Sequence, residues 1–222
     1  MRPIKECSLF FIAGVEGSGT TLLLKLLDEI EDFACLGGNF ISNNHLKAGE
    51  ELNGLTTALW ASPKPSTQEQ SDIISDINAV CVENPVNSVV YKRSYPFSGS
   101  NLIPDLADTQ KMGRQTKIIL IRRHFFDNVN SILRRDFEKN MDDALSRIVL
   151  GYRKLYKQIN TLISSGHQLL ILDYHRLIDS DSRQSELTLL AKYVDAPPHI
   201  IDTWISMISP PNQIPDLVQR ND

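Results

Sequence analysis

Short apolar runs alternate along the chain with longer amphipathic stretches, and the two differ in period. Ser8 to Ala13, Ser88 to Tyr91, Lys117 to Ile121 and Gln168 to Leu172 are nearly continuous hydrophobic runs, with a weaker one from Phe33 to Leu36. Short runs without polar alternation suit strands covered on both faces. Between them, apolar residues recur at helical spacing. From Met141 to Ser165, Leu145, Ile148, Val149, Tyr152, Leu155, Tyr156, Ile159, Leu162 and Ile163 form one face, and Gly166 follows as a stop. Similar spacing predicts helices over Thr20 to Ile30, His45 to Trp60, Thr67 to Val82, Phe125 to Asp136 and Arg183 to Val194. The alternation predicts an α/β fold, a three-layer α/β/α sandwich with a central parallel sheet of about five strands.

Neither a repeat nor a low-complexity tract interrupts this pattern. The Pro/Ser-rich segment 61–68 reads as a surface loop or lid, and 209–222 as a proline-rich tail. The whole of 1–222 is expected to form one domain, since 222 residues suffice for a substantial core. A net charge of −4 implies no general polyanion-binding surface, so no nucleic-acid partner is expected and any basic site must be local. Cys7, Cys35 and Cys81 are odd in number and widely spaced, which points to buried apolar residues rather than disulfides or zinc ligands. No charged-then-apolar leader precedes the first strand, and no apolar run approaches the ~18 residues needed to cross a bilayer. A cytoplasmic location without a membrane segment is expected. Oligomeric state is not readable from the sequence.

The chemistry concentrates first at Phe10 to Leu27. An apolar run enters a glycine-rich turn, and Thr20-Thr21 opens a helical pattern. That layout directs backbone N–H groups and a helix N-terminus at an anion. The triphosphatase form of such a loop is G-x-x-x-x-G-K-[ST], whereas Gly14 to Thr21 reads G-V-E-G-S-G-T-T, with Thr20 in place of the lysine. The loop therefore promises a phosphate ligand and argues against ordinary ATP or GTP hydrolysis. A second basic stretch is Lys117 to Arg135. A strand ends at Arg122-Arg123, and the following helix carries Ser131, Arg134 and Arg135. Guanidinium at the carboxyl end of a strand, with a hydroxyl about two turns along the next helix, makes a second phosphate clamp. A solvated helix face accounts well enough for Arg134 and Arg135, but less well for an arginine pair ending an apolar strand.

With both sites in view, the chain resembles the sulfotransferases that use 3′-phosphoadenosine 5′-phosphosulfate (PAPS). The family loop G-x-x-[RK]-S-G-T-[ST] is matched by Gly14 to Thr21, and R-[DN]-P-x-x-x-x-x-S by Arg123 to Ser131. Tyr174-His175-Arg176-Leu177 resembles the family's Y-E-D-L turn, and the segment from Tyr91 to Phe97 its K-[ST]-H-x-P segment, with Lys92 as the lysine. The likeness spans Ser8 to Pro198. It implies a P-loop fold and sulfuryl transfer from PAPS to a hydroxyl or amine of a small molecule or glycan. The products would be a sulfated acceptor and 3′,5′-ADP, with no metal required. Gly17, Ser18, Gly19, Thr20 and Thr21 would wrap the 5′-phosphosulfate, Arg123 and Ser131 would hold the 3′-phosphate, and Tyr174 would lie near the adenine.

The pattern breaks where the chemistry needs charge and a base. Sulfuryl transfer calls for a cation at the departing oxygen and is helped by a base. The loop's usual lysine or arginine is here Gly17, so Lys92 is the expected substitute, with Arg93 as its neighbour. One branch of the family has a histidine where this chain has Ser94. Another has a glutamate where it has Gly37-Gly38-Asn39. Remaining base candidates are His45, Glu50, Glu51 and Glu16, the last also able to bind an acceptor amine. His124 and His175 read as structural. The acceptor loops would be Gly37 to Ala48 and 61–68. Two alternatives stand beside this reading: a P-loop phosphotransferase with Asp173 as a magnesium ligand, and a nucleotide-binding relative without catalysis.

Overall fold

A computed structural model of the protein describes residues 7–37, 40–42, 44–61, 66–95, 116–164 and 168–208. The tail 209–222 and most of the expected lid, 62–65, lie outside the described residues. The first strand, β1 (Ser8–Val15), leads through the glycine loop into α1 (Thr20–Asp28). Strands β2 (Phe33–Gly37) and β3 (Phe40–Ile41) are followed by α2 (Leu46–Ala61) and α3 (Thr67–Glu83). Next come β4 (Ser88–Tyr95), β5 (Thr116–Arg122), α4 (Phe125–Arg134) and α5 (Met141–Ser164). The chain continues through β6 (Leu169–Asp173), α6 (Tyr174–Ile178), α7 (Ser180–Val194) and α8 (Ile200–Met207).

The strands form one sheet in the order β3-β2-β4-β1-β5-β6, parallel throughout except for β3 at the edge. Alternate residues of β1 feed two cores. Leu9, Phe11, Ala13 and Val15 pack with residues from α2, α3, α4 and α5, including Leu52, Ile77, Val129 and Ile148. Phe10 and Ile12 pack on the other face with Leu23 and Leu27 of α1, Leu187 and Leu190 of α7, and Trp204 of α8. Both faces are covered, which explains why the strands read as unbroken apolar runs and gives the three layers. Cys7, Cys35 and Cys81 are buried, and desolvation, reinforced by Asp28, pushes the Cys35 pKa up. No described helix is long and apolar enough to cross a membrane.

Three elements differ from the sequence pattern, each for a local reason. α7 starts at Ser180 rather than Arg183 because the Asp179 carboxylate caps it, accepting from Ser182 N–H at 3.1 Å. Asp173 likewise caps the single turn of α6, accepting from His175 N–H at 3.0 Å, so Tyr174 begins a helix rather than lying in an open turn. α8 escapes the pattern because only Ile200 and Trp204 carry its buried face. Trp204 is fully buried, and its indole N–H donates to Leu26 O at 2.5 Å, tying α8 to the last turn of α1. Trp204→Ala should therefore cost about 3–5 kcal/mol in urea unfolding. Trp204→Phe should cost less, about 1–2 kcal/mol, by keeping most of the volume and losing the hydrogen bond.

Candidate active site

The sheet brings the chemistry to one place through its strand order. β1 lies between β4 and β5 while its own chain leaves through α1, so a crevice opens at the carboxyl ends of these strands. Register then sets which residues meet there. Ala13 pairs with Arg93, Gly14 with Ser94 and, across β5 and β6, Arg122 with Asp173. A cavity of about 450 Å³ results, lined by the loop, Lys92, Arg93, Ser94, Arg123, Ser131, Arg134, Arg135, Phe137 and Tyr174.

The loop's path requires glycine at two points. Gly17 has φ +85°, and a Cβ there would come within 3.0 Å of Asn128 O and of Ser131 Cβ on α4. Gly19 has φ +100°, and a Cβ there would lie 2.5 Å from the Tyr174 ring. Both conformations are costly for any other residue, and the close approach blocks a side chain besides. At position 17, where the resemblance led to an expected lysine or arginine, the loop instead packs directly against α4. Arg123 secures that contact. Its Nη1 donates to Gly17 O at 2.9 Å, and its guanidinium lies 4.3 Å from the Tyr174 ring centroid. Behind it, Tyr152 OH donates to Arg123 O at 2.7 Å and accepts from Asn128 Nδ2 at 2.9 Å.

Thr20 and Thr21 begin α1, whose first-turn N–H groups have no partner inside the helix and whose dipole favours an anion. Thr20 and Ser94 share a hydroxyl–hydroxyl hydrogen bond of 2.8 Å, and Lys92 Nζ donates to Thr21 Oγ1 at 3.2 Å. Desolvation first, then the charges of Arg135 and Arg93, lower the Lys92 pKa, with Glu16 opposing them. Gly17, Gly19, Thr20, Thr21, Lys92, Arg123, Ser131 and Tyr174 are all brought together here.

Three expectations are corrected by position. Ser18 is buried, its N–H is spent on Val15 O, and its Oγ has no partner. That hydroxyl lines a separate apolar pocket of about 100 Å³ behind the loop with Leu120, Leu155 and Ile159. His45 is not at the site. Because β3 runs antiparallel to β2 (Gly37↔Phe40, Leu36↔Ile41), the chain doubles back, and the His45 ring bonds Glu31 O at 2.7 Å near the amino ends of the strands. A larger depression of about 1350 Å³ opens at that edge, but Glu29, Glu31, Asp32 and Asp195 outnumber its two lysines, a poor setting for an anion. Glu16 lines the cavity as expected but is not a free base. Arg147 on α5 holds both its oxygens, at 2.5 and 3.0 Å, and also pairs with Glu138 at 2.8 Å.

Arg147, Asn128 and Tyr152 were invisible as site residues in the sequence. They act across 131, 29 and 24 residues of separation, and no motif marks them. The magnesium role weighed for Asp173 finds its carboxylate engaged twice, as the cap of α6 and with Arg122 at 3.3 Å.

A phosphate loop between the first strand and helix of a mostly parallel, two-sided sheet defines a P-loop three-layer α/β/α sandwich. Comparison with solved structures finds the same fold. The sulfotransferase domain of the olefin synthase from Synechococcus PCC 7002 superposes with a TM-score of 0.56 at 16% identity, covering 94% of this chain and 82% of that one. Shikimate kinase from Bacteroides thetaiotaomicron aligns over 85% of this chain and 98% of its own, at 16% identity and a TM-score of 0.41, too low to carry an argument. No protein-family model matches the chain, and no curated protein matches it. Identity this low establishes the fold alone.

The Glu16–Arg147 pair predicts a charge effect on anion binding. Arg147→Ala leaves a carboxylate unpaired beside the cavity and should weaken inorganic phosphate binding roughly tenfold, the size of one screened charge. Adding Glu16→Ala should restore it, and calorimetric titration of both variants checks the cycle.

Proposed function

We propose that the protein is a sulfotransferase that takes a sulfuryl group from PAPS and passes it to a hydroxyl or amine. One observation carries this reading: two anion clamps of different make share a single cavity. The first is the N-terminus of α1 with Gly17, Gly19, Thr20 and Thr21. The second is Arg123 with Ser131 on α4, one strand over. A nucleotide phosphorylated at both 3′ and 5′ positions matches that pair, whereas a triphosphate would call for a lysine at Thr20. The fit to PAPS rests on the left-handed Gly17 and Gly19, which bring loop backbone to the cavity wall, and on a cavity volume within the range of small-molecule sites.

When bound, PAPS would supply a sulfur–oxygen bond activated toward an acceptor oxygen or nitrogen, with the 5′-phosphate as leaving group. The protein's part is to place charge and exclude misplacement. Lys92, positioned by Thr21, puts a cation at the start of α1 in place of the loop lysine. Thr20, tied to Ser94, presents a hydroxyl whose orientation is set before any ligand arrives. Tyr174 and Tyr152 hold Arg123 from its ring face and its backbone, so the second clamp needs little reorganisation. Ser18 contributes shape to the loop rather than a side-chain contact. Glu16, bound through both oxygens to Arg147, fixes the loop against α5.

Two measurements test this. Calorimetry should show 3′,5′-ADP binding without magnesium, and Arg123→Ala should cost it roughly 100-fold while costing 5′-AMP less than tenfold. A preference for Mg-ATP would sink the proposal, and loss of PAPS turnover in Lys92→Ala would separate an enzyme from a binding relative. The second measurement is pH dependence. Lys92 must be protonated to attract the ligand, and desolvation has lowered its pKa. Affinity should therefore fall as pH rises, beginning below the ordinary lysine range, and Lys92→Arg should flatten that fall.

A further inference from the structure

The described lining of the cavity is strongly basic. Five basic side chains line it: Lys92, Arg93, Arg123, Arg134 and Arg135. PAPS carries about four negative charges near neutral pH, close to two of them on the 3′-phosphate. The N-terminus of α1 adds about half a positive charge. Glu16, the one carboxylate among the described lining residues, pairs with Arg147, which it shares with Glu138. Even with Arg93 left out, the other four described cations match the charge of the nucleotide, in a chain whose net charge is −4.

Arg135 is set into that basic lining by the end of α4. It caps the C-terminus of α4, one turn beyond Ser131. Asp136 follows in the left-handed region at φ 54°, its N–H bonding Leu133 O and the Phe137 N–H bonding Ile132 O, each at 3.1 Å. This paired closure folds the chain back at the helix end. It carries Phe137 beneath Arg135, whose guanidinium lies 4.7 Å from the ring centroid. Arg135 Nε donates to Ser131 O at 3.2 Å, and no carboxylate among the described residues pairs with the guanidinium. The group is thus held by one face and one edge, at the mouth of the cavity.

An arginine serving only the helix dipole would gain most by staying in water. Here desolvation pushes the Arg135 pKa down, and Arg135 is the largest of the charges lowering that of Lys92, ahead of Arg93. Arg135 lines the same cavity as Lys92, and Arg123 is engaged with Tyr174 and Gly17. Phe137 remains 49% exposed beside it, an aromatic surface at the same mouth.

We propose that the acceptor carries an oxyanion (carboxylate, sulfate or phosphate) beside the group it offers, and that Arg135 stacked on Phe137 holds it. This inference rests on the sulfotransferase reading, in which the loop, Arg123, Ser131 and Lys92 are taken by the nucleotide. Arg135 is then a specificity residue that selects anionic acceptors over neutral ones of the same scaffold.

The test uses the full chain saturated with 3′,5′-ADP, so that the nucleotide clamps are filled. Matched pairs are titrated calorimetrically: glucuronate and glucose 6-phosphate against glucose, and 4-hydroxybenzoate against phenol. The wild type should prefer the anionic member on at least one scaffold by tenfold or more, with the preference shrinking in high salt. The carboxylate and phosphate arms show which oxyanion is favoured. Arg135→Ala should erase the preference, while 3′,5′-ADP affinity falls by no more than about tenfold, the size of one screened charge, and the nucleotide is kept saturating; Arg135→Lys should keep part of the preference. An absent preference on both scaffolds, or one that survives Arg135→Ala, overturns the inference and leaves the sulfotransferase reading standing. Failure of the wild type to bind 3′,5′-ADP overturns that reading and this inference with it.

Discussion

Gly17 and Gly19 hold the glycine loop on a left-handed path close to α4 and Tyr174, where any other residue would be strained. Packing density explains why this one constraint reaches so far. Once the loop backbone touches Asn128 and Ser131, Arg123 is near enough to donate to Gly17 O and must lie flat on Tyr174. Those contacts in turn call for Tyr152 and Asn128 behind them. A chain of packed groups therefore links the loop, β5, α4, α5 and α6, and each holds its neighbour in the one arrangement that leaves the cavity open.

The same packing creates an electrostatic problem and a partial answer to it. Several cations face one another across a small volume, which desolvation and mutual repulsion make costly, as the lowered pKa values of Lys92 and Arg135 record. Arg147 at the wall is shared between Glu16 and Glu138, so those carboxylates are engaged there rather than with the cations in the middle. The proposed anionic ligand would offset those cations. Shifted titratable groups gathered in one cavity mark a candidate binding site.

The strands and main helices could be read from periodicity because burial on both faces of β1, β4 and β5 leaves a direct imprint on composition. The glycine loop and the Arg123–Ser131 spacing were legible for a similar reason, since both rest on local backbone geometry. His45 shows the opposite case. Its distance from the site is set by two residues, Phe40 and Ile41, pairing backwards with β2, and a two-residue strand has no periodicity to detect. Ser18 sits inside the motif, yet its hydroxyl turns to the back of the loop because its own N–H closes a turn on Val15.

Interactions local in the chain, with spacing fixed by helix pitch or strand pleat, are written in the order of residues. They cover the α/β layering, the anion loop and the absent triphosphatase lysine. Interactions that join distant segments depend on where the sheet order and helix ends bring them. Arg147 reaching Glu16 across 131 residues, Tyr152 supporting Arg123 and Phe137 turning under Arg135 exist only once the layers are packed. The missing cation at Gly17 belongs to both kinds. The gap is plain from the motif, but its cause, a helix pressed against the loop where a side chain would stand, is a matter of three-dimensional contact.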